Sequence, residues 1–295
     1  CASLFYQGRP RNRSDHQRMK LKRVARKFDN VQAQDAYGTT TFMVQYEPMS
    51  FSKIDGTSVT KRMVSAAPEI VMPARGAITI DGEQYVVGHG APDYWMGEVI
   101  RVSYVIQGAT GLANLHSIAS AIAQTAPVTA YAALVFSKYM PEANDNSRYP
   151  PQYQVFLAGS ESAPADSLIQ LDGKWFLVKQ SYISTSGLRI ALANELDEPA
   201  FETVTYGDRT YDPVTDTYSA SNSSVRVLRV KWSEHFHYLT KADETYQRGD
   251  IQVMALKTAM PSVAPSDLLT LSDGVWRVLS VQDEGTTVSL HMRRA

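Results

Sequence analysis

"SLIQLDGKWFLV" at residues 167–178 and "DLLTLSDGVWRVLSV" at residues 267–281 spell nearly the same phrase twice. Each has a short apolar run, an Asp-Gly pair and a tryptophan two residues after the glycine. Asp-Gly supplies the positive φ that a tight hairpin turn requires. Alternating apolar residues on both sides bury one face of each strand and wet the other. Each phrase therefore predicts a β-hairpin, and the pair predicts a duplicated structural unit.

The likeness extends well beyond the hairpins. Residues 153–196 and 251–295 both open on an alternating strand around Gln-Val (Gln154-Val155, Gln252-Val253). Both then pass a proline-containing connector (Pro164; Pro261 and Pro265) to the hairpin. Each closes with a polar turn (Ser184–Gly187, Asp283–Gly285) and a last strand (Leu188–Ala193, Val288–Met292). Upstream, "AYAALVFSKYM" (Ala130–Met140) and "VRVLRVKW" (Val225–Trp232) read as matching leading strands, each followed by a long polar loop. A weaker third copy comes first, with strands at Thr39–Glu47, Lys61–Ala67, Gly76–Gly88 around Asp81-Gly82, and Gly97–Ile106. Its aromatic, Tyr85, sits one place later than the tryptophans. Gly82, Gly173 and Gly274 are expected in the turns, with Tyr85, Trp175 and Trp276 as the large core residue of each module.

The fold class expected is all-β: two or three tandem small β-barrel or sandwich modules, one short helix and a basic N-terminal arm. Boundaries fall at 1–35 for the arm, 36–110 for module 1, 128–198 for module 2 and 225–295 for module 3. Between the first two modules, Leu112, Leu115, Ile118, Ala119 and Ile122 have helical spacing, and Pro127 stops the run. Residues 111–127 are thus expected to be a linker helix. Residues 199–224 are polar and turn-rich, and read as a connector loop.

Charge is distributed unevenly. The whole chain carries a formal charge of −1, but residues 1–28 hold Arg9, Arg11, Arg13, Arg18, Lys20, Lys22, Arg23, Arg26 and Lys27 against Asp15 alone. The rest is acidic. Such a basic segment suits a phosphate backbone or an acidic protein groove, and a solubilising tail is the plainer reading. Cys1 is the one cysteine, which excludes an internal disulfide and a cysteine-based zinc site. Its position admits a lipoprotein reading beside the simpler one of a removed initiator Met. No apolar run has membrane-spanning length, so no membrane partner is expected.

The search for catalytic motifs is negative: there is no nucleophile elbow, phosphate loop, His-Glu-x-x-His or dinucleotide fingerprint. No catalytic residue, metal or cofactor is expected. His235 and His237 would share a strand face but lack an evident third ligand. The glycines of "GHGAPDYWMG" (Gly88–Gly97) are expected to relieve a turn between strands. Asp212, Asp216, Glu195, Asp197 and Glu198 match no calcium-loop spacing and read as solvated surface.

Taken together, the apolar strand, "DGKWFLV" or "DGVWRVL", the short turn and the closing strand resemble the small β-barrel head–tail joining proteins of tailed bacteriophages. These are variously called stoppers, head-closure or gatekeeper proteins. The resemblance covers residues 130–198 and 225–295, about half of the chain. It implies a non-enzymatic virion protein, assembled in the host cytoplasm into a six- or twelve-fold ring. Its partners would be copies of itself, the portal or adaptor ring and tail proteins, with the nine cations above touching a neighbouring ring or packaged DNA. Two rival classes follow from the residues. One is a nucleic-acid-binding β-barrel protein using its basic arm. The other is a glycan-binding tail or baseplate module using Trp95, Trp232 and the loop acids.

Overall fold

A computed structural model describes residues 31–54, 57–95, 97–136, 153–196, 201–212, 217–231 and 249–295. The expected basic arm lies almost wholly outside them. The described residues build three closed six-stranded barrels. Barrel 1 comprises β1 (Val31–Asp35), β2 (Thr41–Ile54), β3 (Thr57–Ala66), β4 (Ala77–Ile80), β5 (Glu83–Trp95) and β6 (Glu98–Gly108). Barrel 2 comprises β7 (Gly111–Ser117), β8 (Val128–Phe136), β9 (Tyr153–Ala158), β10 (Ser167–Leu171), β11 (Lys174–Ile183) and β12 (Leu188–Glu195). Barrel 3 comprises β13 (Phe201–Asp212), β14 (Thr217–Lys231), β15 (Ile251–Leu256), β16 (Leu268–Leu271), β17 (Gly274–Asp283) and β18 (Thr287–Arg294). Numbering strands within a barrel, all three close in the order 1-2-3-6-5-4. The weaker copy is thus a full third module.

The sequence reading missed the same strand each time, the first. In barrel 1 it lies at 31–35, within the stretch assigned to the arm. In barrel 2 it occupies 111–117 of the expected linker helix, and in barrel 3 it falls in the expected connector loop of 199–224. Each first strand pairs with the second strand on one side and the fourth on the other, closing the barrel. For 111–117 the two periodicities compete. Leu112 and Leu115 fit a helix, but Ala113 and Leu115 also fit an inward strand face, and both are buried while Leu112 is exposed. Pairing on both edges satisfies every strand position, so the strand wins. Only Ile118–Ile122 is helical (α1), with Ser117 accepting the Ser120 N–H at 3.0 Å. The polar stretches 201–212 and 217–224 are likewise strand, because Val204, Tyr206 and Val225 alternate into a core while their neighbours face away.

The three hairpins share one two-residue turn and one register, but in barrel 3 the Asp-Gly pair sits one residue later relative to that turn. In barrels 1 and 2 the two-residue turns are Asp81-Gly82 and Asp172-Gly173, all four at positive φ, leaving Ile80 opposite Glu83 and Leu171 opposite Lys174. In barrel 3 Leu271 pairs with Gly274, so Ser272-Asp273 is the turn and Gly274 starts the strand. A one-residue slip sends every side chain to the other face. Consequently Tyr85, Phe176 and Trp276 are the equivalent inward aromatics, paired with Ile78, Ile169 and Leu269. Trp175 is equivalent to Gln84 and Val275, whose carbonyls, like its own, accept the N–H that follows the last strand (Ala109, Leu196, Ala295). The expectation that Trp175 and Gly274 match Trp276 and the turn glycines is therefore corrected: Trp175 faces outward and Phe176 fills the core.

The chain divides into two compact units. One holds β1–β6 with Leu157–Ser160 and Ile183–Arg189, and the other holds the remaining described chain from Thr110. Within the first, β5 passes close to the β11–β12 turn, where the His89 N–H donates to the Ser186 carbonyl at 2.9 Å. A Cβ on Gly88 would stand 2.1 Å from that oxygen, so glycine there permits backbone approach inside a strand and does not relieve a turn. Within the second unit, Ile118, Ala121 and Ile122 of α1 pack with Leu168 and Leu177 on the outer face of barrel 2 and with Leu228 of barrel 3. Trp175 and Phe201 flank this seam, rings 5.0 Å apart.

Trp276→Ala empties the centre of barrel 3 and is expected to cost about 3–5 kcal/mol. Trp175→Ala should cost clearly less and leave the barrel cores intact. Denaturant unfolding of the two variants checks this, and equal losses would mean that both rings are core.

Candidate functional site

Among the described residues no group of three or more His, Asp, Glu or Cys is arranged to hold a metal ion. The nine cations of residues 9–27, the histidine pair His235 and His237, Trp232, Asp197 and Glu198 lie outside the described residues or side chains. Of the expected core residues, Tyr85 and Trp276 are buried, and Trp175 is half-buried at the seam. Gly82 and Gly173 occupy turns.

What the fold does bring together is a polar plug beside the turn between the fourth and fifth strands of each barrel. In barrel 1 the Tyr85 hydroxyl donates to Glu83 Oε2 at 2.5 Å and accepts from Arg62 Nη1 at 3.1 Å, with the Tyr46 hydroxyl 3.3 Å away. Burial first, then the bonds to Glu83 and Tyr46, push the Tyr85 phenol well above its ordinary value. In barrel 2 Glu195 accepts from the Tyr153 hydroxyl at 2.9 Å and from Lys174 Nζ at 2.8 Å, while Tyr153 packs edge-on to Phe176. In barrel 3 Arg229 donates to Glu202 Oε1 at 3.3 Å and to Asp273 Oδ2 at 2.8 Å, and its guanidinium stands 5.1 Å over Trp276. Asp273 Oδ1 accepts from the indole N–H of Trp276 at 2.9 Å, and Glu202 takes the N–H and hydroxyl of Ser272.

Each plug combines a carboxylate, a cation and an aromatic ring drawn from more than one strand. The arrangement satisfies polar groups at a barrel mouth and holds no spare acid–base pair. Glu195, weighed above as a surface acid, is a plug residue. A further ionic group lies on barrel 3, where Asp250 accepts from His291 Nε2 at 2.8 Å and from Arg293 Nε at 2.9 Å. His291 is nearly buried, and desolvation depresses its proton affinity despite the neighbouring carboxylate.

The second recurring feature is the two-stranded ribbon. Gly207–Asp212 and Thr217–Asn222 pair with one another beyond the region where β13 meets β16 and β14 meets β15. Ser50–Ile54 and Thr57–Lys61 do the same in barrel 1, as do Asp93–Trp95 with Glu98–Arg101. At the tip of that last ribbon Tyr94 and Trp95 are 64% and 52% exposed. Long strands were legible in the sequence around 97–106, but the ribbons were not, since nothing local separates a strand paired twice from one paired once. Compared with protein-family models, curated proteins and solved structures, the chain matches none.

Arg229→Ala strands the Glu202 carboxylate, 7% exposed, without its cation. The expected cost is about 3–5 kcal/mol, largely recovered in the double variant Arg229→Met with Glu202→Gln; chemical denaturation of the three proteins checks this. The plugs also set an acid limit. Hydrogen bonds from Arg229 and from Lys174 hold Asp273 and Glu195 below their ordinary values of 3.8 and 4.5. Their stabilisation is full above those values and is lost as pH falls through the lowered ones. Thermal melting should therefore show little dependence on these two groups above about pH 5 and a steep fall in stability below about pH 4.

Proposed function

We propose that this chain is a structural assembly protein of a phage head–tail connector, a neck or collar ring that joins the portal to the tail and helps retain packaged DNA. The observation that carries the reading is the set of β-ribbons whose outer backbone edges, among the described residues, pair with no third strand. Unpaired edges are ordinarily blunted, because they recruit other chains. Where assembly is the task, the same edges bind neighbours by strand addition. Head-to-tail contacts of this kind close into rings when their rotation permits.

Further support comes from the repeat itself. Three barrels of one topology enlarge a building block without adding a reactive centre, and the charged groups in each plug are engaged with one another. Among the described residues no helix is long and apolar enough to cross a membrane. Arg9 to Lys27 supply the segment that would touch packaged DNA or an adjacent ring, with a steep salt dependence in the first case.

Electron microscopy of the full chain, alone and in particles carrying it, tests the reading. Rings, or density beneath a portal, are the expected result. A chain that stays monomeric and is absent from every particle would overturn it. Salt-sensitive binding to DNA by such a monomer, lost on deleting residues 1–28, would point to the nucleic-acid-binding class.

A further inference from the structure

A chain of four side chains crosses the seam between barrels 2 and 3. The Arg226 guanidinium lies 4.6 Å from the centre of the Phe201 ring, Phe201 meets Trp175 edge-on at 5.0 Å, and Trp175 meets His116 at 5.3 Å. Arg226 and Phe201 belong to barrel 3, Trp175 and His116 to barrel 2. Both ring nitrogens of His116 are buried and lack a hydrogen-bond partner, and so is Nη1 of Arg226. A neutral imidazole normally donates one hydrogen bond and accepts one, whereas the cation must donate two. Among the described residues neither His116 nitrogen finds a partner.

Among the described residues the surroundings offer no countercharge. β7 itself presents Asn114, whose amide is bonded to Gln170, and Ser117, which caps α1. β10 sets Leu168 opposite His116. The helix, Ile-Ala-Ser-Ala-Ile, has no ionisable residue. On β11, Lys174 is held by Glu195. On β13, Glu202 is held by Arg229 and Ser272, and the charged side chains described on β14 are the cations Arg226 and Arg229. The facing residues of β15, Met254 and Leu256, are apolar. The Trp175 ring, tilted 45° to the imidazole, favours a cation but accepts no conventional hydrogen bond.

We propose that His116 is an acid-operated latch: neutral, it lets barrels 2 and 3 close over the aromatic seam, and protonated, it opens that seam while each barrel stays folded. Burial lowers the proton affinity of His116 below its ordinary value of 6.5. The sign follows. A depressed histidine stabilises the closed seam fully above pH 6.5, and that contribution is lost as pH falls below it. Opening exposes Trp175, which gives the event its own optical signal.

The experiment titrates the full chain from about pH 8 to about pH 5, the range in which histidine changes charge. Trp175 emission is taken as the difference between the native chain and Trp175→Phe, with far-ultraviolet dichroism following the strands. The expected result is a reversible red shift with a midpoint below 6.5, unchanged strand content, and no shift in His116→Leu. His291, which also has a depressed proton affinity, is intact in that variant and so serves as the internal control. No shift in the native chain, or the same midpoint in His116→Leu, would overturn the proposal. If that variant fails to fold, proton resonances of the native histidines decide, since a His116 titrating at or above 6.5 overturns it equally.

Discussion

Closure by the first strand is the constraint on which each barrel depends. β1, β7 and β13 each pair with the second strand of their barrel on one edge and with the fourth on the other. Remove that strand and the sheet has two open edges, with the inward faces of Ile78, Ile169 or Leu269 left uncovered. With it in place, six short strands bury a complete core, and the chain can repeat the arrangement three times. The cost is entropic, because the first and fourth strands are far apart in sequence and their pairing forms without help from local structure.

Register within the closed barrel then decides what each aromatic does. Two consecutive positive-φ residues make the turns of barrels 1 and 2, whereas barrel 3 turns one residue earlier. Trp276 therefore fills a core, and Trp175, which shares its sequence setting, becomes the centre of a contact between barrels. One building block has acquired a joint without an insertion. The plugs vary in the same economical way: Glu83 and Lys174 occupy equivalent positions after the turn with opposite charge, and each recruits its counterion from a different strand.

Barrel closure and ribbon extension pull in opposite directions. A closed barrel offers no edge to a neighbour, so under the proposed assembly role contacts with other chains would fall to strands that outrun their barrel: β2–β3, β5–β6 and β13–β14. Stability resides in the cores and plugs; under the proposed role, partner choice would fall to the ribbon edges, the exposed Tyr94 and Trp95, and the basic N-terminal segment. The aromatic seam with its orphaned His116 is different again, since a buried polar group without partners is costly.

Much of the fold was legible because its signals are local. Asp-Gly before an alternating run specifies a hairpin whatever surrounds it, and the repeated phrase at Ser167–Val178 and Asp267–Val281 located two modules and hinted at a third. The same residues could not reveal the first strand of each module. Gly111–Ser117 satisfies helical and strand periods alike, and residues 207–212 and 217–222 are polar along a ribbon whose two strands, among the described residues, pair only with each other. Nor could they place Trp175, because its facing depends on which residues close a turn. The candidate site was legible only as an absence of catalytic motifs, since the plugs join residues from distant strands. Sequence by itself determined the all-β class, the hairpins and the tandem repeat, through backbone preferences and alternation that act within a few residues. Tertiary structure alone decided the closing strand, the register and the seam, because each depends on pairing between segments that no local pattern links.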